Sequence, residues 1–251
     1  LVVSPLHAQS GPPAVVDSKA TLRLNGVAIG FPCAEAEKVL KPYLQQRGLV
    51  YDSPLFADPL AGSQSIDCRR SSVTFRTSDR SEAIEVSLTK DGRVWQVVRR
   101  QTWPLGQAPT PKAFLNVLSE RYGKPHLLEG HLQEIEAGVR LLPDGTVPTF
   151  EAIWSEGTSK RPQVKQDRTD EMAAFKPIYE FCARQPASID SPAACIKQRS
   201  AHIRKQHAEA KALVKGVALR ADKYGFNRPQ RQEELLVLTL HDTTLAKQED
   251  S

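Results

Sequence analysis

The sequence predicts an α+β protein: an antiparallel β-meander packed on helices, read as two α-β-β-β units with a helical hairpin inserted in the second. Three observations carry this expectation. Residues 73–103 alternate apolar and polar side chains in three runs, with Asp91-Gly92 between the second and third. Residues 110–123 spell out a helix with its start, its apolar stripe and its stop. From Arg168 to Gly216 the apolar period becomes helical, and Glu234–Leu240 then alternates again.

Along the chain, Thr21–Leu24 reads as a short strand, followed by Gly26-Val27-Ala28-Ile29-Gly30. A helix follows Pro32, over Ala34 to Gln46. Ala36, Val39, Leu40, Tyr43 and Leu44 line its apolar face, and Glu35 and Glu37 favour its N-terminus. Pro42 is expected to kink or end this helix, and Gly48 to stop it. Residues 52–67 read as a long loop rich in Pro, Gly and Ser. Val73, Phe75 and Thr77 share one strand face, and Ile84, Val86 and Leu88 share the next. Asp91-Gly92 is expected to form a two-residue turn with positive φ at both positions. Val94–Thr102 returns as a third strand, with Trp95, Val97 and Arg99 opposite Val94, Gln96 and Val98.

Thr110-Pro111 supplies the N-cap and first position of the next helix, whose stripe is Phe114, Leu115, Leu118 and Tyr122. Gly123 and Pro125 end it. Val139–Leu142, the turn Pro143-Asp144-Gly145-Thr146 and Phe150–Trp154 read as a second hairpin. A helical hairpin over 168–216 follows, with its second helix from Ala193 to Val214. Val217–Ala221 is a candidate strand. Glu234–Leu240 is a strong one, and its apolar side chains on both faces place it centrally or under cover on both sides. The divisions expected are 1–20, 21–105, 106–246 and a tail, 247–251. The order helix, strand, strand, strand occurs in pattern at 34–103 and again at 111–246. Stacked duplication explains this, and so does coincidence, since helix-then-meander is a common arrangement.

Composition bounds the function. The chain has 251 residues, 34 basic and 29 acidic side chains, a net charge of +5 and 40% apolar residues. That excludes a disordered tail and allows one large or two small cores. Four cysteines are too sparse for a disulfide-framework miniprotein. No run of about 18 apolar residues occurs, so no transmembrane helix is expected. Leu1-Val2-Val3-Ser4-Pro5-Leu6-His7-Ala8 reads as the end of a secretory leader, which implies a periplasmic or secreted protein with disulfides. Cys33, Cys68, Cys182 and Cys195 allow three pairings. Pairing neighbours closes loops of about 35 and about 13 residues.

The phrase Gly26-Val27-Ala28-Ile29-Gly30-Phe31-Pro32-Cys33-Ala34-Glu35-Ala36-Glu37-Lys38-Val39-Leu40 resembles the opening of small bacterial envelope proteins. These are the outer-membrane assembly lipoproteins of the SmpA/OmlA type and the β-lactamase-inhibitor-protein fold. The resemblance covers about residues 24–103. The chain departs from the lipoproteins in lacking a lipidated cysteine and in its greater length. The resemblance implies a binding or inhibitory role through an exposed sheet face, without catalysis.

Motifs for chemistry are sparse. H-E-x-x-H, G-x-S-x-G, Walker and dinucleotide loops do not occur. Ser87-Leu88-Thr89-Lys90 spells S-x-x-K on a strand that points its two reactive residues apart. His126, Glu129 and His131 lack a helix to fix a metal-binding spacing, and the six histidines read as incidental surface residues. No cofactor is expected. Residues 195–231 hold ten Lys or Arg against Glu209 and Asp222. This is either a solvated helix face or a surface for an acidic protein or anionic envelope component, and not for nucleic acid. The candidate partner-binding residues are Trp95, Arg99, Arg100 and Trp103 on the meander, with Lys197, Arg204, Lys205 and Lys211 on the basic helix. The function expected is an exported, non-catalytic bacterial protein of inhibitor, immunity or envelope-assembly type. The alternative is a cell-envelope hydrolase without a recognisable motif.

Overall fold

A computed structural model describes residues 22–53, 58, 60–156, 164–167, 195, 216–228 and 231–242. The expected helical hairpin at 168–216, apart from Cys195 and Gly216, lies outside the described residues, as do the segments 1–20 and 247–251. The architecture is α+β, with one large, almost wholly antiparallel sheet carrying helices on one face.

The chain enters through a two-residue hairpin, β1 (Arg23–Leu24) and β2 (Val27–Ala28). Asn25 and Gly26 hold φ of 52° and 85°, so both central positions of this turn are left-handed. Helix α1 (Cys33–Arg47) buries Ala36, Leu40 and Leu44, the expected stripe. It runs on through Pro42, contrary to expectation. Pro42 and Lys38, whose carbonyl loses its helical donor, both face solvent, and the buried stripe holds the helix. Gly48 ends it at φ 63°, where Leu49 N donates to Leu44 O at 2.9 Å.

The meander forms as β4 (Ser72–Arg76), β5 (Glu82–Leu88) and β6 (Val94–Pro104), edged by the short β3 (Val50–Tyr51). Two details differ from expectation. At Asp91-Gly92 only Gly92 is left-handed (φ 73°). Thr89 N donates to Arg93 O at 2.8 Å, which makes a three-residue loop, and Asp91 instead accepts from the Thr89 hydroxyl. The extra loop residue is followed by a bulge: Leu88 pairs with Val94 and Ser87 with Gln96, leaving Trp95 unpaired. Val94 and Val97 are therefore both fully buried rather than on opposite faces.

Helix α2 (Pro111–Tyr122) starts where expected, with Thr110 Oγ1 accepting from Ala113 N at 3.3 Å. The next strand is one the periodicity missed, β7 (Leu127–Gly130), followed by a one-turn helix α3 (Leu132–Glu136). Strand β8 (Phe150–Ser155) pairs with β7, not with Val139–Leu142. The turn at Pro143–Thr146 does close, with Leu142 N donating to Thr146 O at 2.7 Å, but no ladder grows from it. Instead Arg140 donates to the carbonyls of Gly106 and Ala108 and ties this stretch to the α2 approach. Gly130 (φ 147°) has no room for a side chain, since a Cβ there would lie 2.2 Å from Thr149 O.

Strand β9 (Val164–Asp167) runs parallel to β7. Strands β10 (Val217–Arg228) and β11 (Arg231–Asp242) close the fold as a long hairpin, and β10 is far longer than the expected Val217–Ala221. The sheet order is β3-β4-β5-β6-β11-β10-β8-β7-β9. Each half runs from a helix through a short strand (β3 at one edge of the sheet, β7 beside the other edge strand β9) to three longer strands, and the last strands of the halves, β6 and β11, pair over nine residue pairs at the centre. Glu234–Leu240 is thus central, as its two apolar faces implied. The core lies between the helices and the inner face, where Phe75, Ile84, Val86, Val97, Leu240, Leu219, Ala152 and Trp154 are buried.

One disulfide, Cys33–Cys68, joins the start of α1 to the end of the long loop. Arg70 clamps the same loop, donating to Tyr51 Oη at 2.6 Å and to Asp58 Oδ2 at 2.7 Å. Cys195 is disulfide-bonded, Cys182 lies outside the described residues, and no described cysteine is free. No helix among the described residues is long and apolar enough to cross a membrane.

Candidate functional site

Directly paired residues on adjacent strands project to the same face, so the register lays out the outer face row by row. One row crosses seven strands: Arg76, Ala83, Arg100, Val237, Asp222, Glu151, Glu129. The next reads Thr74, Glu85, Val98, Thr239, Arg220, Ile153, Leu127. The two ends of these rows differ. On β4 to β6 and β11 the outer face is the more open one, although Val98 at its centre is 5% exposed. Arg100 is exposed there, and Thr74, Arg76, Ala83, Glu85, Gln96, Thr102, Leu235, Val237 and Thr239 are half-buried. On β10, β8 and β7 it is closed. Ala218, Leu127 and Ile153 form a small buried cluster of their own, beside Glu129, Glu151 and Asp222, which are 1%, 4% and 5% exposed.

The open half is a mosaic of apolar and charged groups held by weak surface pairs. Arg100 Nη1 lies 3.1 Å from Glu85 Oε2, and Arg76 Nε lies 3.1 Å from Asp52 Oδ2. Such exposed pairs contribute little to stability and are free to exchange partners. In the closed half three carboxylates stand side by side across three strands. Arg220 Nε meets Asp222 Oδ2 at 2.9 Å and Glu151 Oε1 at 3.3 Å. Burial pushes the Asp222 carboxyl above its ordinary value, against the pull of Arg220. Burial, with Arg220 nearby, lowers the His241 imidazole.

The candidate residues from the sequence divide between the faces. Arg100 stands on the open outer face. Arg99 is on the inner face, paired in register with Ile84 and Leu238, where its Nε donates to Glu82 Oε1 at 2.8 Å. Trp103 is also on the inner side, its ring 5.5 Å from that of Phe114. Trp95 is half-buried at the bulge. The four therefore do not form one surface, because alternate residues of a strand face opposite ways. Lys197, Arg204, Lys205 and Lys211 lie outside the described residues. Lys223, counted in the basic stretch, is fully buried on the inner face and paired with Glu234, and Arg220 is held by carboxylates. The stretch is thus not a single charged stripe.

The His126–Glu129–His131 group is also dispersed. His126 Nδ1 accepts from Ser155 N at 3.1 Å and His131 Nδ1 from Thr149 N at 3.2 Å. Glu129 points to the outer face. Among the described residues no three His, Cys, Asp or Glu side chains are placed to hold a metal ion. The carboxylate row was missed because its members are 22 and 71 residues apart, from Glu129 to Glu151 and from Glu151 to Asp222. The only local signal was a carboxylate alternating with apolar neighbours, as in Leu127–Glu129 and Glu151–Ile153. Compared with known proteins, the chain matches no family model, no curated protein and no solved structure.

Proposed function

We propose that the open half of the outer sheet face docks another macromolecule, and that the protein acts as a non-catalytic binder outside the cytosol. The observation that carries this reading is the contrast along the seven-strand row. The same sheet is closed over β10, β8 and β7 but leaves Arg100 exposed and Arg76, Leu235 and Val237 half-buried over β4 to β6 and β11. A partly apolar platform with exposed arginine is the composition that protein interfaces favour at their centres. The partner that fits is a protein, or an anionic envelope component, offering carboxylates to Arg76 and Arg100. The Cys33–Cys68 bond supports an oxidising compartment, periplasmic or secreted.

The hydrolase reading has one feature in its favour, the Glu129–Glu151–Asp222 row with its raised Asp222. Its members are buried, so substrate reaches them only if the closed half opens.

The test is affinity capture from an envelope extract with wild type and with Arg76→Glu/Arg100→Glu. A specifically captured partner is expected to fall at least tenfold with the double variant, while the melting temperature moves by about 1–2 °C. Arg204→Glu/Lys205→Glu serves as the parallel arm for the basic stretch of residues 195–231. Loss of capture in that arm alone overturns the sheet-face reading.

A further inference from the structure

The inner side of the second half carries a cleft that the sheet-face reading does not use. It opens between α2, α3 and the start of β7, with a volume of about 260 Å³. Leu115, Leu128, Leu132 and Ile135 make its apolar lining, and Lys112 and Lys124 stand at its rim. Leu115 and Ile135 belong to the core cluster, and Leu128 and Leu132 pack against it, so this surface is built by the fold rather than by loops.

The two lysines are not equivalent. Lys112 Nζ donates to Glu136 O at 2.8 Å and is occupied. Lys124 is exposed and has no hydrogen-bond or ion-pair partner among the described residues. Glu136 also lines the cleft. The rim therefore carries two ammonium groups and one carboxylate, a net single positive charge, with the Lys124 ammonium the one free of partners among the described residues. That balance suits a singly charged head and disfavours a dianion. The volume is that of about nine water-sized groups at ~30 Å³ each, which accommodates one alkyl chain of about eight carbons.

We infer that this cleft binds a medium-chain alkyl monocarboxylate, its chain against Leu115, Leu128, Leu132 and Ile135 and its carboxylate at the Lys124 ammonium. The inference stands independently of the docking face, which lies on the other side of the sheet.

Titration calorimetry of the full chain with octanoate tests it, with acetate, octanol and octyl phosphate as comparators. One saturable site is expected, with octanoate binding at least tenfold more tightly than acetate or octanol. Lys124→Glu should weaken octanoate at least tenfold. Ser119→Phe, which fills the cleft from α2, should abolish binding, with circular dichroism confirming that both variants fold. Absence of a saturable site, or octanoate affinity unchanged in Lys124→Glu and in folded Ser119→Phe, overturns the inference. Tighter binding of octyl phosphate than octanoate overturns the carboxylate assignment.

Discussion

Each half of the sheet buries a charge beneath its helix, and the charges have opposite sign. In the first half Glu82 is 1% exposed and accepts from Tyr43 Oη at 2.5 Å, Arg47 Nε at 2.9 Å and Arg99 Nε at 2.8 Å. Two of these donors come from α1, so the helix is latched to the sheet by charge. Burial pushes the Tyr43 phenol well above its ordinary value. In the second half Lys223 is fully buried and pairs with Glu234, which also accepts from Gly106 N at 2.7 Å. Helix α2 contributes only the Phe114 ring, 5.9 Å from the ammonium. The Glu82 network keeps contact with water through Arg47, whose side chain is 47% exposed, whereas the Lys223–Glu234 pair is sealed at 0% and 3%. A sealed pair is worth little net stability when intact but is costly to break, because the survivor is left charged in an apolar site.

The largest effect should therefore come from the sealed pair. Glu234→Gln is expected to cost about 3–5 kcal/mol in denaturant melts, and Lys223→Met/Glu234→Gln to recover most of it. Glu82→Gln should cost less, about 1–3 kcal/mol, because the freed Arg47 reaches solvent. Equal costs at the two sites would erase the distinction between latch and sealed pair.

The first half is also stapled by Cys33–Cys68, with a sequence separation of 35. Cys33→Ala/Cys68→Ala should lose about 3–4 kcal/mol in the chain-entropy account. A loss well below that would mean that the Arg70 clamp holds the loop by itself.

The smallest effects sharpen the contrast through pH. Hydrogen bonds from Arg69, first its side chain and then its backbone N–H, hold the Asp67 carboxyl down at about 2, against an ordinary 3.8. Its stabilisation is fully present above the ordinary value and is lost as pH falls towards 2, so Asp67→Asn should flatten the acid limb of the stability profile between pH 4 and about 2. Asp222 has the opposite sign. Its raised value means the folded state holds the proton longer, so it costs stability as pH rises through 3.8. Asp222→Asn should raise stability at neutral pH relative to acid pH, a gain that vanishes below the ordinary carboxylate value. Parallel pH profiles for the two variants would show that burial does not distinguish the two carboxylates.

Most of the fold was legible where one local rule sufficed. Thr110 starts a helix by accepting from Ala113 N and Gly123 follows its last turn at φ 76°, and alternation over 73–103 placed Val73, Phe75, Ile84 and Val86 inward. Legibility failed where a long-range partner decided. Leu127–Gly130 is too short to alternate convincingly and becomes a strand because β8 lies beside it. Val139–Leu142 has strand composition, but its neighbours are the carbonyls of Gly106 and Ala108. Of the candidate surface residues, Arg100 stands exposed on the outer face, while Arg99 and Trp103 turn inward.

Composition, periodicity and caps determined by themselves that this chain builds an α+β meander with central Leu-rich strands, because those features act within a few residues of one another. Tertiary structure alone decided that β6 meets β11 and that three distant carboxylates align. It also decided which half of the outer face stays open, because strand register and cover are set by contacts between segments far apart in the chain.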